Sequence, residues 1–110
     1  MTLKQKQYTF TLHDVKLIKE VKDEICIESE LTSQQLWNIV SKMIYKYNLP
    51  KYTEDDVFKV KLNVMYLIDH TYVISSREER AIVESEVQLL IHEMIGDNYI
   101  KSKACICVIT

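Results

Sequence analysis

Apolar positions in the first third of the chain alternate with polar ones. Tyr8, Phe10 and Leu12 are separated by Thr9 and Thr11, and residues 15–21 and 24–28 are rich in β-branched side chains. A period of two is the mark of a half-buried strand. The pattern therefore predicts strands over residues 7–13 and 16–28, arranged as one or two hairpins with a turn at His13-Asp14 and a turn or bulge at Lys22-Asp23.

From Leu31 the period changes. Thr32-Ser33-Gln34-Gln35 reads as a capping box, in which the Thr32 hydroxyl bonds the Gln35 amide and the Gln35 side chain reaches back to Thr32. Leu31 and Leu36 stand where a hydrophobic staple needs them, and Leu36, Ile39, Val40, Met43 and Tyr47 then recur at helical spacing. Asn48 suits a left-handed C-terminal position, and Pro50 follows where a helix cannot continue. A second clear helix starts at the box Ser76-Arg77-Glu78-Glu79 and runs through Val83, Val87, Leu90, Ile91, Met94 and Ile95. It ends at Gly96, where a positive φ is needed.

Two patterns compete between these helices. Phe58, Val60, Leu62 and Val64 alternate with polar residues, as in a strand. Thr53-Glu54-Asp55-Asp56 is a third capping box, and residues 53–74 contain neither Gly nor Pro, which favours a helix from Thr53 to about His70. In that register Lys59, Asn63, Tyr66 and His70 form a polar stripe. Residues 99–110 read as a strand covered on both faces. Residues 1–110 thus form one expected α+β domain: a small antiparallel sheet, made of the N-terminal hairpin strands and the C-terminal strand, packed against two or three helices.

Composition narrows the chemistry. The chain of 110 residues has a net charge of −2 and no concentrated basic face, which argues against nucleic acid as a partner. No apolar run approaches the ~18 residues of a membrane span, and the N-terminus lacks a signal peptide's apolar core. The expected location is the cytoplasm, with Cys26, Cys105 and Cys107 as free thiols. Twelve lysines against two arginines, with thirteen isoleucines and two alanines, follow from AT-rich coding and suit a bacterial, phage or other viral source. A single glycine leaves no glycine-rich loop to cradle a phosphate or an oxyanion.

The candidate sites are sparse. Cys105 and Cys107 share a strand face in this reading, with Cys26 within reach, but a fourth zinc ligand is missing. Packing explains the thiols, and no metal or cofactor is expected. His13-Asp14, Asp69-His70 and His92-Glu93 are neighbours along the chain, and neighbours on a helix or strand point apart. Glu54, Asp55 and Asp56 fit a helix start better than a cation site.

The aromatics carry the functional expectation. Trp37 and Tyr45 fall off the apolar stripe of their helix, and Tyr52 follows close behind. Such side chains bury large areas at small entropic cost and are common hot spots. Trp37, Tyr45 and Tyr52 are the expected interface residues of a non-enzymatic protein-binding module. The expected role is that of an inhibitor or adaptor of a phage or mobile element, acting as a homodimer. Two alternatives stand beside it: a small-molecule or nucleotide-binding protein with a tyrosine-lined pocket between sheet and helices, and a small histidine-dependent enzyme.

Overall fold

The computed structural model describes residues 10–99, and each of the four α-helices found there begins at a hydroxyl cap. They are α1 (Leu12–Glu24), α2 (Ser33–Tyr47), α3 (Glu54–Asp69) and α4 (Arg77–Ile95), followed by a 3₁₀ turn at Gly96–Asn98. The caps are Thr11, Thr32, Thr53 and Ser76, whose side-chain oxygens accept from the amides of Asp14, Gln35, Asp56 and Glu79. Each satisfies one of the amides that a helix start leaves without an intrahelical partner. Asn48 closes α2 at φ 50°, ψ 51°, and Gly96 closes α4 at φ 56°.

The helices form a bundle of four-cornered section with α2 and α3 on its shorter diagonal. α1 packs on α2 and α3, α4 packs on the same two, and α2 also meets α3. α1 and α4 occupy opposite corners without packing on each other. Ile18 and Val21 of α1, Ile39, Val40 and Met43 of α2, Val60, Val64 and Ile68 of α3, and Val87 and Ile91 of α4 belong to one core. Fully burying a side chain of this size stabilises by roughly 1.5–3 kcal/mol, so the shared core holds the bundle together.

The α+β expectation is overturned: the described residues contain no strand. Over residues 16–28 the expected strand is instead most of α1 and the turn that follows. Two signals compete there, and the helix signal wins. Thr11-Leu12-His13-Asp14 is itself a capping box, with the Thr11 amide donating to Asp14 Oδ2 at 3.0 Å. Behind it Asp14, Leu17, Ile18 and Val21 fall on the buried side. The β-branched residues suggested a strand, but their preference is weak against a core that accepts this helical stripe. Of the expected strand at 7–13, Thr11 is a cap and Leu12 and His13 are helical, while residues 7–9 lie outside the described residues. The C-terminal strand at 99–110 lies outside them except for Tyr99, which makes an isolated parallel bridge with Tyr52.

The ambiguous middle is helical. The Thr53 hydroxyl accepts from the Asp56 amide at 3.2 Å, and the Asp56 carboxylate accepts from the Thr53 amide at 3.0 Å. Val57, Val60, Val64, Leu67 and Ile68 then face inward. Phe58 falls on the outer side, so the alternation over 58–64 was incidental. Replacing Thr53 by Ala should lower stability by about 1 kcal/mol. In a urea titration the midpoint should fall at unchanged slope, and an unchanged midpoint would remove the cap from this account.

Candidate functional site

Two groups of side chains stand out, one buried and one exposed. The buried group centres on Asp14, whose residue is 3% exposed. As the third residue of α1 it completes the capping box, and the positive end of the helix favours its charge. Asp14 also accepts from Lys59 Nζ at 2.9 Å, from Tyr47 Oη at 3.3 Å and from Asn63 Nδ2 at 3.3 Å. Asn63 Nδ2 donates in addition to Tyr47 Oη at 2.6 Å. One carboxylate therefore ties α1 to the end of α2 and to the middle of α3.

The electrostatics follow from these contacts. Burial pushes the Asp14 carboxyl up, but the Thr11 amide, Lys59, Asn63 and the Thr11 hydroxyl together hold it well below the usual carboxylate range. Burial, followed by the nearby Asp14 charge, pushes the Tyr47 phenol above its ordinary value. Asp14 is thus ionised and Tyr47 protonated at neutral pH. Both Asn63 amide hydrogens are used, while its Oδ1 is buried without a partner among the described residues. Such an orphan costs about 1–3 kcal/mol. The groups of this cluster are directed at one another, which suits a structural tie.

A second buried polar residue works on the other side of α2. Gln35 was expected to bond back to Thr32, but only its amide keeps to that plan, donating to Thr32 Oγ1 at 3.1 Å. Its side chain donates to the Cys26 carbonyl at 2.7 Å and accepts from the Glu28 amide at 3.2 Å and from the Tyr72 hydroxyl. Gln35 so pins the α1–α2 and α3–α4 connections to one helix.

The exposed group lies on α2. Trp37 is 49% exposed and Tyr45 73%, on the side away from Ile39 and Met43. An open cleft beside the indole is lined by Ser33 and Gln34. Lys42 Nζ lies 5.8 Å from the Tyr45 ring centroid. Tyr52, the third expected interface residue, is 3% exposed. Its hydroxyl donates to the Ile44 carbonyl at 3.2 Å and its amide to the Asn98 carbonyl at 2.7 Å, so it closes the end of the bundle.

The histidine–carboxylate neighbours are not brought together as pairs. Asp69 accepts two hydrogen bonds from Arg80, at 3.1 and 2.7 Å, while His70 stacks on Tyr66 at 4.1 Å between centroids. His92 meets Gln88 at 3.0 Å and the edge of Tyr99. Asp14 is buried in its own cluster beside an exposed His13. Cys26 is a free thiol, and Cys105 and Cys107 lie outside the described residues. No three His, Cys, Asp or Glu side chains among the described residues converge as metal ligands. No helix among them is long and apolar enough to cross a membrane. The tyrosine-lined pocket between sheet and helices loses its premise, since the described residues contain no sheet.

The sequence reading missed Asp14, Gln35 and Asn63 as buried groups. Asn63 had been placed on a polar stripe with Lys59, and both in fact turn toward Asp14. The signal that was present is the Thr11–Asp14 box, which marks a helix whose first acidic residue is pre-oriented. No protein-family model matches the chain, and neither a curated protein nor a solved structure matches it.

A lowered folded-state pKa at Asp14 supports the fold above the unfolded value near pH 4, and this support is lost as pH falls toward the folded value. Asp14→Asn should cost about 2 kcal/mol at pH 7 and flatten the stability profile below about pH 4. Equal acid sensitivity of the two proteins in pH-dependent denaturant titrations would remove Asp14 as the cause.

Proposed function

We propose that the chain is a non-enzymatic protein-binding module that works through the outer side of α2. The reading rests on Trp37 and Tyr45, large aromatic side chains left 49% and 73% exposed on a helix whose other side is engaged in the core. Tryptophan and tyrosine bury much area with few rotatable bonds, which is why they dominate hot spots. Tyr52 is left out of this surface because it is buried. The titratable groups support the same reading. Tyr47 and Lys59 are engaged with Asp14, and His70 and His92 each have surroundings of their own. A cytoplasmic inhibitor or adaptor carried by a phage or another mobile element is the role we assign, on the compositional skew and small size.

Trp37 is the one tryptophan, so its emission reports directly on the proposed surface. A partner captured from a host lysate should shift that emission to the blue when added back in purified form. The double variant Trp37→Ser, Tyr45→Ser should keep its thermal midpoint within a few degrees while losing about 2 kcal/mol or more of binding. Unchanged capture by a folded double variant would refute the surface.

A further inference from the structure

The two outer helices carry matched stripes. On α1, at about 100° per residue, Leu12, Val15, Lys16, Lys19 and Asp23 share the side opposite Leu17, Ile18 and Val21, with Lys22 at its edge. Leu12 is 89% exposed and Val15 53%. Lys19 pairs with Asp23 at 3.5 Å with both side chains largely in water, and Glu20 at the other edge pairs with Lys46 at 3.6 Å, so Lys16 and Lys22 leave the stripe net positive. On α4, Glu78, Ile82, Glu86, Leu89 and Glu93 share the side opposite Val87 and Ile91. Ile82 is 65% exposed and Leu89 63%, and no cation lies on this stripe. Glu84 and Arg80, which do form ion pairs, sit on another side of the helix.

We propose that the chain associates with copies of itself head to tail, the lysine and aliphatic stripe of α1 in one copy seating on the glutamate and aliphatic stripe of α4 in the next. Charge complementarity selects this occupant: each stripe joins exposed aliphatic residues to charged ones, and the signs are opposite. Leu12 and Val15 lie about one turn from Lys16 and Lys19, as Leu89 lies about one turn from Glu86 and Glu93. Aliphatic groups therefore meet aliphatic groups in the register that brings lysines to glutamates. α1 and α4 stand at opposite corners of the bundle, so one contact uses α1 of one copy and leaves its α4 open. Such an interface is heterologous and continues to a ring or a filament, where a two-fold dimer would stop at two. The α1 stripe is about 16 Å long, one helix wide, and buries less than the ~1,200 Å² of stable complexes. Association is accordingly weak and dependent on its charges.

Sedimentation of the full chain over rising concentration tests this. At low salt the average mass should climb past that of a dimer, and raising salt to about 0.5 M, where the Debye length drops to a few Å, should weaken association at least tenfold. Lys16→Glu with Lys19→Glu, and separately Glu86→Lys with Glu93→Lys, should each give a folded monomer by circular dichroism and mass. Mixing these two variants should restore assembly, because each reversed stripe then faces its complement. Trp37→Ser, Tyr45→Ser should assemble like the native chain, which separates this contact from the aromatic surface of α2. A constant monomer mass, a mass that saturates at two copies, or a mixture of variants that stays monomeric would each overturn the proposal. So would binding of monomers to phosphatidylserine vesicles without self-association, which would assign the α1 stripe to a lipid surface.

Discussion

A carboxylate taken out of water is tolerated only where other groups replace its hydration, and Asp14 sets that requirement for three helices at once. Its lone pairs are taken by the Thr11 amide and hydroxyl, the Lys59 ammonium, the Tyr47 hydroxyl and the Asn63 amide. The donors come from the cap of α1, the end of α2 and the middle of α3, so the charge is satisfied only when α1 enters at one register against α2 and α3. Aliphatic packing alone specifies a register less sharply, because cores accept many apolar arrangements of similar volume. A carboxylate with directed partners accepts only one. The unpartnered Asn63 Oδ1 is consistent with this: the residue is placed for its two amide hydrogens, at the expense of its oxygen.

Gln35 plays the corresponding part where α4 joins. The α1–α2 connection passes its Cys26 carbonyl and Glu28 amide to one side chain, which also receives the hydroxyl of Tyr72 from the α3–α4 connection. Exposed loop backbone is thereby held without glycine or proline, which matches a chain whose glycine and proline both sit at helix ends. Tyr52 closes the opposite side of the molecule by bonding Ile44 and Asn98. Polar side chains thus set the joints of the bundle, and aliphatic ones fill it.

What the sequence made legible was punctuation more than class. Thr32, Asn48, Thr53, Ser76 and Gly96 announce helix ends through local geometry, and the structure uses all of them. The class went wrong at α1, where Val15, Leu17 and Val21 alternate as in a strand, while Leu17, Ile18 and Val21 repeat as in a helix. Only the neighbouring helices decide between those periods, and that information is not local. The same limit hid the polar joints. Nothing near Asp14 in sequence names Lys59 or Asn63, which lie 45 and 49 residues away. Exposure on one face was easier to read. Trp37 and Tyr45 lie off their own stripe whatever packs on it, whereas Tyr52 follows a helix end and had no stripe to place it.

The distribution of charge completes the physical account. A net charge of −2 over 110 residues gives little overall repulsion between copies, so local patterns decide how two molecules meet. Inside each molecule, opposite charges are already joined where helices touch. Lys46 meets Glu24 and Glu20 across α1 and α2, and Lys61 meets Glu84 across α3 and α4. The outer stripes of α1 and α4 face away from the core residues of their own helices. Placed at opposite corners, they cannot neutralise each other within one bundle, and their aliphatic residues remain in water beside charges of one dominant sign. Both deficits are relieved by the same contact with another copy, which is why the pattern points outward from the fold rather than to a flaw within it.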